Sequence, residues 1–155
     1  MTELDDPAPY SDPAASAVRV LVVDSDERVR ESIAGLLQIG RRCVVVASAG
    51  DPGNALDLLG KHRPDVVILD PRLPEIDAGR YLVNAIRVAS PSTRIVVMSS
   101  AEPLLHAGAV DGADTFIRKT FRPRDLVDAV LAAVRAPDTI GQPGRNTQRT
   151  EAIQN

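Results

Sequence analysis

"VRVLVVDSDERVR", residues 18–30, sets a run of apolar, mostly β-branched residues against two acids that a serine keeps apart. The apolar part, 18–23, has the length and the valine content of a buried strand. A helical pattern follows at once, with Val29, Ile33, Leu36 and Leu37 on one stripe. Asp24 therefore stands at the end of a strand. Asp26 has two uses open to it. It shares a side with Asp24 and with any cation there if the helix starts no earlier than Glu27, because residues i and i+2 point the same way in extended chain. Alternatively it caps the helix, and its carboxylate is then occupied.

The same alternation recurs along the chain. Short apolar runs, "CVVVA" (43–47), "DVVILD" (65–70), "RIVVMS" (94–99) and "TFI" (115–117), read as further strands. Between them, "DPGNALDLLGK" opens with Asp51 as N-cap and Pro52 at the first helical position. "AGRYLVNAIRVA" carries Tyr81, Leu82, Ala85 and Ile86 on one stripe, and "RPRDLVDAVLAAVR" carries Leu126, Val127, Val130, Leu131 and Val134. "PLLHAGAV", 103–110, is a short fourth helix of the five. Continuously apolar strands alternating with helices imply an α/β fold, a five-stranded parallel sheet covered on both faces and connected right-handedly.

The 155 residues, 44% hydrophobic and 25% charged, suffice for one core. Residues 1–17 and 136–155, rich in Pro, Gly and polar residues, read as disordered tails around one domain at 18–135. A net charge of −3 supplies no basic field, so direct nucleic-acid binding is not expected. No stretch approaches the roughly 20 apolar residues that span a bilayer, so a cytoplasmic protein with no membrane contact is expected. The one cysteine, Cys43, opens an apolar run and reads as a buried small hydrophobe.

In doubly wound sheets, ligands sit beyond the carboxyl ends of the strands, near the point where strand order reverses. Strand one ends in Asp24, strand three in Asp70, and strand four in Ser99-Ser100; strand five leads through Ile117 and Arg118 to Lys119. Each group has an ordinary structural use, as a helix cap, turn opener or solvated base. Together they differ, since acids at two strand ends repel unless something positive lies between them. A metal ion and Lys119 would supply that charge.

"VVDSD", "VVILDPRLPEIDAG", "VVMSSAE" and "GADTFIRKTF" together resemble the receiver domains of bacterial two-component response regulators, and the resemblance covers nearly all of 18–135. It implies a flavodoxin-like receiver fold, with Asp70 as phosphoacceptor, Ser100 as the hydroxyl after strand four, Lys119 as the phosphate-pairing lysine and Phe116 as the switch aromatic. Asp24 would be the first of an acidic pair. Asp24 and Asp70, with Asp26 and the backbone carbonyl of Arg72, would form the metal site, for a weakly bound Mg²⁺. Such a protein is a phosphoacceptor with at most slow autodephosphorylation rather than a turnover enzyme. Its partners would be a sensor histidine kinase or phosphotransfer protein and an unidentified downstream protein. A homodimer would use the face built from helix four, strand five and helix five. Only Lys61 and Lys119 of the 18 basic residues are lysines, which adds weight to a lysine at the end of strand five.

Departures from the family pattern are specific. Ser25 stands where the second acid is usual, and a hydroxyl is a poorer ligand for a hard cation. Pro71 restricts Asp70 to extended conformations and removes a neighbouring N–H. Leu73 replaces the usual Met, Ala78 takes the glycine position with Gly79 one place later, and Thr120 follows Lys119 where proline is common. Arg72 is a bulky cation at the rim, placed to steer a phosphodonor or shield an acyl phosphate. Two readings stand. One is a stand-alone receiver that accepts a phosphoryl group on Asp70 with a divalent cation and signals through protein contacts. The other is a phosphorylation-independent pseudo-receiver, a protein-interaction module of the same shape. Elsewhere, His62 and His106 have no second ligand in sequence, no glycine-rich phosphate loop is present, and Gly35 and Gly40 read as helix-end devices.

Overall fold

In the computed structural model, which describes residues 16–100 and 110–137, five parallel strands form one sheet in the order β2-β1-β3-β4-β5. The strands are β1 (Val18–Val23), β2 (Cys43–Ala49), β3 (Val66–Leu69), β4 (Arg94–Ser99) and β5 (Thr115–Arg118). Four helices join or follow them: α1 (Glu27–Gln38), α2 (Pro52–His62), α3 (Ile76–Ala89) and α4 (Pro123–Arg135). All but the last residue of the helix expected over 103–110, and almost all of the two expected tails, lie outside the described residues. No helix among the described residues is long and apolar enough to cross a membrane.

Alternation along each strand divides the core into two. Leu21, Val23, Val67, Leu69, Ile95 and Val97 meet Ala55 and Leu59 of α2 and Leu82, Val83 and Ile86 of α3. On the other face, Val20, Val22, Val66, Ile68, Val96 and Met98 meet Ile33 and Leu37 of α1 and Leu126, Val130 and Ala133 of α4. All four residues of β3 are buried, as a central strand covered on both faces requires. Cys43 is buried in the α1–α4 half, and that burial pushes its thiol pKa up, against a smaller lowering effect of Arg42. Tyr81 departs from the expected stripe. The buried face of α3 runs through Gly79, Leu82, Val83 and Ile86, which leaves Tyr81 on the flank, 62% exposed.

Turn chemistry matches the sequence at several points. Asp51 caps α2 by accepting from the Asn54 N–H, with Pro52 following it. After α1 the chain reverses through Gly40 at φ +84° and Arg41 at φ 56°. Gly40 is thus a helix-end glycine as expected. Gly35 is not, since it lies inside α1. The Leu73–Pro74 peptide is cis.

At the amino-terminal edge of the sheet, Arg87 ties three segments together. Its Nε donates to the Gly112 carbonyl at 2.7 Å, its Nη1 to the Thr93 carbonyl at 2.8 Å, and its Nη2 to Asp114 Oδ2. The same Asp114 oxygen accepts from the Ile95 N–H at 2.7 Å, and Arg94 lies 3.6 Å from the other oxygen. The start of β5 is therefore held both to β4 and to α3.

The opposite edge has a different constraint. Helix α3 begins at Ile76, two residues before the expected start, and its first turn presses on the chain after β3. A Cβ on Gly79 would lie 1.9 Å from the Pro71 carbonyl oxygen, a backbone atom that cannot step aside alone. Gly79→Ala is expected to destabilise the protein by about 1–3 kcal/mol through overpacking. Gly35→Ala, where nothing lies within 4 Å, is expected to stabilise it by up to about 1 kcal/mol. Urea midpoints for the two variants check this, and equal shifts would mean that no clash operates at Gly79.

Candidate functional site

Strand order reverses between β1 and β3, which lie side by side with Val23 opposite Leu69. The next residue of each strand is an aspartate. The parallel ladder extends one rung past the strand ends: the Asp24 N–H donates to the Ala49 carbonyl at 3.1 Å, Asp70 to Val23 at 3.0 Å, and Lys119 to Ser99 at 2.9 Å. Three chemically active side chains are thus fixed by the last hydrogen bonds of the sheet rather than carried on free loops.

The two carboxylates are used in the same way. Asp24 Oδ1 accepts from the Asp26 N–H at 2.9 Å, and Asp70 Oδ1 accepts from the Arg72 N–H at 2.9 Å. Each closes an Asx-type turn two residues on. Each gives its second oxygen to Lys119, whose Nζ lies 2.6 Å from Asp24 Oδ2 and 2.9 Å from Asp70 Oδ2. Both contacts join an ammonium to a carboxylate oxygen, and the one to Asp24 is the shorter. Side-chain exposures of 4%, 11% and 16% for Asp24, Asp70 and Lys119 make this a buried triad. Burial alone would push the Lys119 ammonium pKa down. The contacts with Asp24 and Asp70 outweigh it, and the pKa lies above the ordinary lysine value.

Asp26 takes the second of its two uses. It is the N-cap of α1, and its Oδ1 accepts from the Arg28 N–H at 2.9 Å. Ser25 beside it is exposed, as is the side chain of Arg72 at the rim. Ser100, exposed, is the first residue beyond β4, and Phe116, half-buried on β5, packs against the α2–α3 half of the core. His62 is half-buried at the end of α2, and His106 lies outside the described residues. The sequence reading missed Arg30 of α1, whose Nη1 donates to the Asp24 carbonyl at 2.6 Å.

The donor set suits a hard cation held loosely. Asp24 Oδ2 and Asp70 Oδ2 converge on the Lys119 ammonium, so the two strand-end carboxylates already face one shared positive charge. Two carboxylates with water and phosphate oxygens are the kind of ligand set that Mg²⁺ accepts. Among the described residues, no group of three or more His, Cys, Asp or Glu could hold a metal, so the site offers little beyond that pair.

Removing the ammonium would leave two buried carboxylates facing each other. Lys119→Met is expected to cost about 3 kcal/mol at neutral pH. Because the folded-state pKa of Lys119 is raised, its stabilising contribution is fully present below the unfolded value, about 10.4, and is lost as pH rises through the folded one. Urea unfolding of both proteins should give a difference that is constant from neutrality to about pH 10 and shrinks above it. A difference that shrinks at lower pH would place the stabilising charge on another group.

Comparison with known proteins agrees with this geometry. A family model described as the response regulator receiver domain matches residues 20–131. The chain is 33% identical over 132 residues to the transcriptional regulatory protein NarL of Mycobacterium tuberculosis, covering 84% of this chain and 61% of that protein. It is 34% identical over 125 residues to the response regulator MprA of a Mycobacterium species, covering 78% of this chain and 53% of that one. The chain thus spans little more than half the length of these relatives. Among solved structures, the signal receiver domain of M. tuberculosis NarL superposes with a TM-score of 0.68 at 30% identity, over 79% of this chain and 99% of that one. The response regulator domain of Thermotoga maritima CheB gives 0.67 at 26% identity, over 78% and 98%. With its five-stranded parallel sheet and the acid–lysine cluster at the carboxyl edge, the chain belongs to the response regulator receiver domain family of two-component systems.

Proposed function

We propose that the protein is a phosphorylation switch in which Asp70 accepts a phosphoryl group from a sensor histidine kinase or a phosphotransfer protein. The observation that carries this reading is the Lys119 ammonium, 2.9 Å from Asp70 Oδ2 and 2.6 Å from Asp24 Oδ2 in a buried setting. Asp70 Oδ2 attacks phosphorus, a P–O bond forms, and the bond to the donor atom breaks with its electron pair leaving on the donor. Such a transfer needs positioning and charge neutralisation more than covalent help. Asp24 and Asp70, with the Arg72 carbonyl, would hold Mg²⁺, which when bound supplies part of that neutralisation.

Lys119 supplies the rest. After transfer, Asp70 Oδ2 is part of an acyl phosphate and the new group carries roughly two negative charges, so the ammonium exchanges a carboxylate partner for phosphate oxygens. The hydroxyl of Ser100 is the second donor proposed to follow it. Phe116, half-buried three residues before Lys119, would then repack, and the face formed by β5 and α4 would change. That face is proposed to receive the downstream protein or a second copy of the chain. The protein acts as an acceptor with at most slow autodephosphorylation.

Incubation with acetyl phosphate and Mg²⁺ is expected to raise the intact mass by one phosphoryl group, and Asp70→Asn should abolish the increase. No labelling at millimolar Mg²⁺ would instead favour the phosphorylation-independent pseudo-receiver, the reading that the uncharged Ser25 and the helix-capping Asp26 support. A second prediction concerns the cation. Ser25→Asp is expected to lower the Mg²⁺ Kd about tenfold, roughly 1.4 kcal/mol. A titration unchanged from wild type would mean that residue 25 does not face the cation.

A further inference from the structure

The Asp24 peptide is held from both sides. Its N–H is fixed in the ladder by the Ala49 carbonyl at 3.1 Å, and its carbonyl accepts a 2.6 Å hydrogen bond from Arg30 Nη1, six residues on and one turn into α1. The guanidinium reaches this carbonyl by crossing the backbone of Gly50, just beyond β2. A Cβ on Gly50 would lie 3.0 Å from Arg30 Nη1, 3.6 Å from Cζ and 3.8 Å from Nη2. These are its three nearest neighbours, and all belong to Arg30. Gly50 has no positive φ, so the space taken by the guanidinium, rather than backbone conformation, favours the absence of a side chain there.

From this arrangement we infer that Arg30 is a positioning residue for Asp24, acting through the lane that Gly50 leaves open, and that the pair sets the affinity of the acidic turn for a divalent cation. Asp24 Oδ1 is committed to the Asp26 N–H, so the direction of Oδ2 follows from how the Asp24–Asp26 turn is set. The ladder fixes that turn at its start and the Asp26 cap fixes it at its end. Arg30 fixes its middle, at the peptide leading to Ser25. With Ser25 supplying no second carboxylate, the aim of Asp24 has correspondingly more effect on the cation. Groups that orient a ligand without touching the metal typically change affinity by tenfold or more when removed.

The inference rests on the divalent-cation site proposed above, and a double-mutant cycle tests it separately. Mg²⁺ binding is measured by amide-shift titration of wild type, Arg30→Ala, Gly50→Ala and the double variant, with urea midpoints to register any loss of folding. Arg30→Ala and Gly50→Ala are each expected to weaken Mg²⁺ about tenfold. The double variant should be no weaker than Arg30→Ala alone, because the added methyl then meets no guanidinium. Mg²⁺ affinity within twofold of wild type in Arg30→Ala would overturn the inference. So would a Gly50→Ala effect of equal size in both backgrounds. If wild type binds no Mg²⁺, the cation reading itself fails. The positioning role is then decided by the metal-free amide shifts of Asp24, Ser25 and Asp26. These should move on Gly50→Ala when Arg30 is present and stay in place when it is absent, and movement in both backgrounds would refute the role.

Discussion

Two buried carboxylates one strand apart repel each other, and the rest of the site depends on the one ammonium that makes their proximity tolerable. Lys119 reaches both from the neighbouring edge of the sheet. Removing two acids and a lysine from water is costly, and only close contact with further hydrogen bonds offsets it. The structure meets this by dividing the labour of each acid. One oxygen closes a local turn and holds the backbone; the other is left for charge. Each aspartate is therefore both a structural and a chemical residue, and the two functions reside on different atoms.

Much of this was legible in the sequence, for physical reasons. Strands covered on both faces must be apolar throughout, so β1, β3 and β4 stand out against the helices, and the residues that end them are fixed by chain order alone. Asp24, Asp70 and Lys119 could be named because a parallel sheet brings all its carboxyl ends to one edge. The choice between the two uses of Asp26 could not be read, since a cap and a ligand place the same residue type at the same offset. The early start of α3 was also hidden, because its N-cap residue, Glu75, makes no side-chain capping bond.

Other features leave no mark in residue identity. Arg30 binds a backbone carbonyl, which every residue possesses, so nothing in the sequence of the turn announces its partner. Gly79 read as a glycine displaced by one place. Its actual constraint is the nearness of the Pro71 carbonyl, a contact set by how α3 packs. Tyr81 misled for the opposite reason. An apolar ring at helical spacing belongs to the stripe in a periodicity count, yet the buried arc of α3 is centred on Leu82, Val83 and Ile86 and does not extend to it.

The Arg87 clamp bears on how a signal could cross this molecule. It anchors the first residues of β5 through Gly112 and Asp114, at the end of the strand remote from the acids. The far end is tied by the ladder bond from Lys119 and by that side chain's own charge. An edge strand of four residues is thus hinged at one end and latched at the other. If Lys119 leaves the acids in the proposed switch, the displacement of β5 would begin at the latch and decay toward Thr115, as in a lever whose fulcrum lies on the opposite edge of the sheet from the chemistry.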